Sequence, residues 1–427
     1  MQKAKGKIEK WITPVSCCFD TRQPNKHGKM RAEPLVHFAF CTLPFALFFF
    51  LAILFPSLSS GQQPRPYASI NHSAITYNGP GREASHDLPG TEVRIGLLLP
   101  LTGPRRAAGE TLQRAAQMAV DDENTVSLPA HHLALVTRDE SGPWGQASTQ
   151  IVKLVFDDQA VALITSGEGS SAHLAEQMGN KIGVPIVTLA SDPTTTEVNL
   201  PWIFRLGASD TAEGEVFARD IYEHRKLQKV LLLAQNDHDG RVGAEAFLQS
   251  AAMLGGSKPT EVTLDPGLLT KELAIENLAS AEAVVIWSDA ATANLLLAEL
   301  DRLDPTVPLY LCRRAVENDS ASGLAKPPKV GARHSQLLIT AAADNTPVQS
   351  GFRRRYHERY GNDPGQDAAE AYDAVRIIAA SLRQAGPNRA RLRDSLAAIS
   401  SYAGASGLVS FDHAGNDTSR ISLLERR

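Results

Sequence analysis

From residue 93 onward, short apolar runs alternate with longer segments of helical periodicity, and this pattern constrains the fold more than any other feature of the chain. Residues 93–99 (VRIGLLL) fit a strand buried on both faces, and Thr102-Gly103-Pro104 ends it. Residues 107–122 then place Leu112, Ala115, Ala116 and Ala119 at helical spacing. Strand-like runs at 132–137, 161–165 and 184–189 alternate with helical segments at 146–156 and 171–181. A second series follows Asp210, with helices over 212–223, 243–254 and 290–303 and strands over 229–234, 283–287, 307–311 and 335–340. Three helical segments (347–360, 368–384, 389–399) come next, then a strand over 407–411 and a turn over 412–416. Successive strands joined by helices pair in parallel, because a parallel strand needs a crossover. The class is α/β, with two doubly wound, Rossmann-like lobes, and ligands of such sheets bind outside the carboxyl ends of the strands.

The amino-terminal region predicts the compartment. Residues 35–55 contain no Asp, Glu, Lys or Arg and are rich in Phe, Leu and Ala. A basic stretch precedes them, and Ser57, Ser59, Ser60 and Gly61 follow, which is the order of an export signal. An apolar segment of about 20 residues is also long enough to remain as an anchor. Residues 1–61 are therefore read as a signal peptide or membrane anchor, with Met30 an alternative start. The body is periplasmic or otherwise extracytoplasmic in either case, and touches membrane only through this segment if it stays uncleaved. Residues 62–91, rich in Pro, Gly, Ser and Asn, are expected to form a flexible linker.

Charge excludes one class of partner. Residues 1–34 hold eight Lys/Arg and three acids, which leaves 35 basic and 44 acidic residues, a net charge of −9, on the remainder. Such a body is a poor match for a phosphate backbone, so no nucleic acid is expected. Cys17, Cys18 and Cys41 lie in the leader, and Cys312 alone is expected to be a buried, inert thiol.

Two loops carry candidate binding groups. Residues 165–171 (TSGEGSS) lie between a strand and a helix, where glycine allows close backbone approach and a helix start offers N–H groups to a carboxylate. Residues 189–193 (LASDP) end the next strand, with the Ser191 hydroxyl and the Leu189 carbonyl available to a ligand. Helix capping and turn formation are the simpler account of each loop taken alone, and two adjacent polar loops at the ends of successive strands point to binding more than either does. Catalytic and metal patterns are missing. His131, His132, His173, His224 and His238 lack zinc-ligand spacing, and HExxH, CxxC, GxSxG, P-loop and GxGxxG are absent. The run 237–240 (DHDG) is like the opening of a calcium loop but lacks the later oxygen ligands. No cofactor, no metal and no enzymatic activity are expected. Arg353, Arg354, Arg355 and Arg359 are read as a solvated helix face.

The ordered set of segments resembles the type I periplasmic binding proteins, in the leucine/isoleucine/valine-binding branch, from about Val93 to Leu424. The resemblance rests on 93–104 (VRIGLLLPLTGP), Asp139-Glu140, 183–187 (GVPIV), 190–193 (ASDP), Phe204-Arg205 and Asp210. It continues through Tyr360-Gly361, Pro364, 368–375 (AAEAYDAV), 407–412 (GLVSFD) and Gly415. It implies a solute-binding protein that captures an amino acid or related carboxylate and delivers it to an ABC permease by lobe closure. It also implies three crossover strands, near 207–211, 340–344 and 403–407. Lobe 1 is then about 92–208 with 345–402, and lobe 2 about 209–344 with 403–427. The family's carboxylate and ammonium sites map to Gly169, Ser170 and Ser171 and to Leu189, Ala190 and Ser191. Asp239, Trp287, Arg313 and Arg314 are the candidates from the second lobe.

That second half departs from the family pattern. An aromatic position falls near Ala108, a Tyr-Gly becomes Asp239-Gly240, and the ammonium-pairing acid falls near Arg313 or Arg314, with Glu317 close by. Two arginines there either make a cationic wall suited to an anionic solute or face solvent. A receptor module or a clamp that has lost its ligand are the alternative functions on the same fold.

Overall fold

The computed structural model describes residues 77–426, apart from 127–131, 144, 199, 266–277, 279, 304–306, 317–335 and 344–345. The first sheet contains β1 (Glu92–Leu99), β2 (His132–Asp139), β3 (Ala162–Thr165), β4 (Ile186–Thr188) and β5 (Ile203–Arg205). Its order is β2-β1-β3-β4-β5 and every pair is parallel. The helices α1 (Arg106–Thr125), α2 (Gln146–Phe156), α3 (Gly169–Ile182) and the short α4 (Thr194–Glu197) supply the crossovers. Leu97, Leu98 and Leu99 point to both faces of β1 and are all buried, which is why the strand reads as a continuous apolar run. Each such side chain contributes about 1.5–3 kcal/mol by leaving water.

The second lobe starts with α5 (Asp210–Ala218), whose Ser209 cap accepts from the Ala212 N–H. Its sheet contains β6 (Val230–Gln235), β7 (Thr260–Leu264), β8 (Ala283–Trp287), β9 (Leu309–Leu311) and β10 (Leu337–Ala342), with α6 (His238–Met253) and α7 (Ala290–Leu303) between strands. The order is β13-β10-β9-β8-β6-β7, where β13 (Ile421–Arg426) runs antiparallel to β10. Between β10 and β13 the chain returns to the first lobe as α8 (Pro347–Tyr360), α9 (Gln366–Ala385), α10 (Arg389–Ala397) and the hairpin β11 (Tyr402–Ala403) and β12 (Leu408–Val409). Phe352, Tyr372, Ile378 and Leu392 of these helices join the core built on β1 and β3.

Two boundaries differ from the sequence expectation. Residues 403–417 stay with the first lobe, so the third crossing falls at 418–420 and only β13 joins the second sheet. The cause is local: Phe411 packs on Phe204 at 5.3 Å, and Asp373 on α9 accepts from the N–H groups of Ala405 (2.8 Å) and Ser406 (2.7 Å). Residues 77–91 of the expected 62–91 linker also differ from the expectation, because they dock on lobe 1. Arg82 makes a two-pronged contact to Asp394 (2.7 and 3.1 Å), Asn388 donates to Asp87 (3.0 Å), and Tyr77 packs against Trp202 at 4.7 Å. Residues 62–76 and the leader lie outside the described residues. Among the described residues no helix is long and apolar enough to cross a membrane.

Candidate functional site

The carboxyl ends of the parallel strands of both sheets face a common seam, as the crossover topology requires. From lobe 1 come the loops after β1, β2, β3 and β4. From lobe 2 come the starts of α6 and α7 and the 3-10 turn Arg313–Val316 after β9. The seam holds an opening of about 640 Å³. Pro104, Arg105, Glu140, Ser170 and Ser171 line it from lobe 1, and Asp237, Asp289 and Arg314 from lobe 2.

Its walls are fixed by hydrogen bonds. Asp139 accepts from Leu101 N (2.9 Å), Thr102 Oγ1 (2.7 Å) and Ser141 N (3.0 Å), tying the first two loops together. Burial opposes its charge, but these donors outweigh burial and hold the carboxyl down at about 2. Glu140 is buried below this loop and accepts from the Ser166 hydroxyl. Burial pushes it up to about 7, with Ser166, Ser171 and Arg105 only partly compensating. Arg105 pairs with Glu168 on the same rim.

Seven of the sequence-derived candidates divide into four groups. Ser170 and Ser171 face the opening, Ser170 exposed and Ser171 nearly buried. Gly169 and Leu189 face the seam, but the protein's own second lobe uses both. The Gly169 N–H donates to Asp239 Oδ1 at 3.0 Å, and the Leu189 carbonyl accepts from Arg313 Nη2 at 2.9 Å. Ala190 is buried with its N–H directed to Thr188 Oγ1 (3.2 Å), and the Ser191 carbonyl receives the Asp210 N–H (2.9 Å). Trp287 has to be withdrawn from the binding set. It is 1% exposed in the core of lobe 2, packed edge-on against Phe217 at 5.9 Å, because the last residue of β8 points down under α6 rather than into the seam.

Neither arginine faces solvent. Arg313 crosses the seam to Glu370 Oε1 (2.8 Å), and its backbone N–H reaches Glu213 (2.9 Å). Arg314 is buried against Asp237 (2.7 Å), with Asp239 at 3.9 Å. Burial pushes the Asp239 carboxyl above its ordinary value, and the charge of Arg314 works against that rise. Glu317 lies outside the described residues. Ala108, where the family pattern has an aromatic, borders a cavity of only about 20 Å³ with Leu112, Ser166, Leu189 and Ala368. Cys312 is buried, and its thiol is pushed well up by desolvation.

Several seam residues escaped the sequence reading. His173 and His238 converge on Asp192, with Nε2 to Oδ2 distances of 3.1 and 2.7 Å. Hydrogen bonds to Asp192 and then Glu176 push His173 up to about 10. Glu370 is fully buried and raised by that burial, with Arg313 opposing the rise. Their sequence signals are only partial. Asp192 reads as a turn former in 189–193, and Glu370 falls in the segment 368–375. His173 and His238 lack zinc-ligand spacing, although 237–240 is like the opening of a calcium loop.

Comparison with known proteins places this geometry in a family. The profile of the periplasmic binding proteins matches residues 92–422. The chain is 27% identical over 305 residues to Leu/Ile/Val-binding protein homolog 3 of Brucella melitensis, covering 69% of this chain and 80% of that one. Among solved structures, the branched-chain amino acid transporter substrate binding protein of Streptococcus pneumoniae, in complex with isoleucine, superposes with a TM-score of 0.67 at 19% identity. That match covers 78% of this chain and all (100%) of the other. An ABC transporter solute binding protein of R. palustris in complex with benzoate gives 0.68 at 18% identity, with 79% and 93% covered. This chain belongs to the periplasmic binding proteins, solute binders of the extracytoplasmic space.

Proposed function

We propose that this protein captures a small carboxylate, an amino acid or a related organic acid, in the seam and presents it to an ABC permease without altering it chemically. The observation that supports this is the composition of the opening of about 640 Å³. Ser170 and Ser171 at the start of α3 face it from one lobe, and Arg105 and Arg314 flank it from both. A helix start and guanidinium groups together favour a carboxylate, which would compete with Glu168 and Asp237 for Arg105 and Arg314. Two solved structures of similar fold are complexes with isoleucine and with benzoate, both small carboxylates. Residues 35–55 either direct export and are removed or hold the body at the outer face of the membrane; sequencing the mature amino terminus separates the two.

Calorimetric titration of the full chain with branched-chain amino acids, dicarboxylates and benzoate tests the reading. Saturable heat is expected for acids and not for their primary amides. Silence across the panel, or affinity unchanged in Arg314→Ala, counts against it.

A second reading has its own observation. Asp239 and Arg313 sit on the Gly169 N–H and the Leu189 carbonyl, two groups that relatives of this branch are expected to offer to a ligand. A clamp closed on its own side chains would bind no solute, and the same titration decides between the two readings.

A further inference from the structure

Three donor atoms from three separate segments meet beside the opening: His173 Nε2 on α3, Asp192 Oδ2 after β4, and His238 Nε2 at the start of α6 in the other lobe. All three lie within 4.8 Å of one another. Ligands of a tetrahedral zinc ion, each about 2.0–2.2 Å from the metal, stand about 3.4 Å apart, so only small side-chain adjustments separate this cluster from a coordination shell. The two imidazole planes are nearly perpendicular, at 88°, with centroids 5.6 Å apart.

Supporting contacts orient each lobe 1 donor. The Nδ1 atom of His173 is 3.0 Å from Oε2 of Glu176, a residue that is itself buried. Nε2 shares its proton with Asp192 Oδ2 (3.1 Å) and Thr194 Oγ1 (2.9 Å). An incoming ion takes the place of that proton, while the Nδ1 proton stays with Glu176 in the carboxylate–histidine arrangement that tunes metal sites. Oδ1 of Asp192 accepts from the Thr194 N–H (2.8 Å) and hydroxyl (2.6 Å), which leaves Oδ2 facing the histidines. The side chains of His173 and His238 are 27% and 39% exposed, so an ion has a path in and a position remains for water or solute. Two imidazoles and one carboxylate suit zinc and its transition-metal neighbours, whereas magnesium and calcium prefer all-oxygen shells.

We propose that His173, Asp192 and His238 bind a divalent transition-metal ion of the zinc type, and that this ion ties the two lobes together. His238 belongs to the second lobe, so the full ligand set exists only when the seam is closed, and metal stabilises that state by its differential affinity. This goes beyond solute capture and is tested without any solute.

Untagged full-length protein is titrated with zinc chloride by calorimetry and with cobalt chloride by visible absorption. One ion per chain and tetrahedral cobalt bands are expected, with affinity falling at least tenfold in His238→Ala and lost in His173→Ala/His238→Ala. Glu176→Gln, which alters only the positioning contact, should weaken binding by about 10–100-fold while keeping the cobalt spectrum. Zinc should also shrink the scattering radius of the wild type and leave that of His238→Ala unchanged. His238 is partly exposed at a helix start, so His238→Ala carries the test even if the double variant fails to fold. Absence of saturable zinc binding by the wild type, or equal affinity in His238→Ala, overturns the proposal.

Discussion

Gly169 donates its backbone N–H to Oδ1 of Asp239, 3.0 Å away across the seam, so the start of α3 is capped by a carboxylate from the opposite lobe. The contact needs glycine. A Cβ at position 169 would stand 2.3 Å from Asp239 Oδ1 and 3.0 Å from Asp192 Oδ2. Gly169→Ala is therefore expected to hold the lobes apart, and solution scattering should show a larger radius than the wild type. An unchanged radius would mean that the seam is not closed in solution.

If Asp239 occupies a carboxylate site, removing it returns the Gly169 N–H to solutes. Asp239→Ala should raise affinity for small carboxylates about tenfold, the worth of one charge-assisted hydrogen bond regained. Calorimetry on both proteins with the same acid measures it. Equal or weaker binding in the variant refutes competition between Asp239 and ligand.

Among the described residues, Arg313 and Glu370 form the most deeply buried ion pair across the lobes, at 2.8 Å. It lies against Gly207, at φ +90°, where a Cβ would come within 2.4 Å of Glu370 Oε1. Arg313→Ala leaves that carboxylate without its guanidinium and should cost about 3–5 kcal/mol. Arg313→Ala/Glu370→Gln should recover part of the loss. Urea denaturation of the set reads both, and a loss below about 1 kcal/mol would show the pair to be dispensable.

Asp373 should act as a structural clamp rather than a ligand group. Removing it in Asp373→Ala orphans the N–H groups of Ala405 and Ser406 and the Ser406 hydroxyl. A cost of about 2–4 kcal/mol is expected, with early hydrogen exchange in residues 403–411. Uniform protection there in the variant would contradict the assignment.

Glu140 gives the stability a defined pH dependence. Its folded value of about 7 lies above the ordinary 4.5, so the native state holds the proton more tightly than the unfolded chain. That contribution is complete below about pH 4.5 and fades as pH rises towards about 7. Glu140→Gln should remove a fall on the order of 2 kcal/mol between about pH 5 and about pH 8. Denaturation curves with the same pH slope in both proteins would place the titration elsewhere.

The alternation of apolar runs and helical segments was sufficient for the α/β class, because a strand buried on both faces must be apolar throughout and a parallel neighbour must be reached by a crossover. Residues 146–156, 283–287, 290–303 and 347–360 take the helices and strand expected of them, since local periodicity alone defines such elements. The short β5 and the edge strands β7 and β13 escaped notice. β7 is mostly exposed, and the place of β13 depends on pairing with a strand about 80 residues earlier.

The sequence by itself determined the fold class and the two serine-bearing loops, because both follow from neighbours a few residues apart. Only the tertiary structure decided that Trp287 is core, that Arg313 and Asp239 reach across to lobe 1, and that His173, Asp192 and His238 meet. Those outcomes depend on how two sheets approach one another. Residues separated by 46 or more positions, as Asp192 and His238 are, carry no mark of their contact in local spacing.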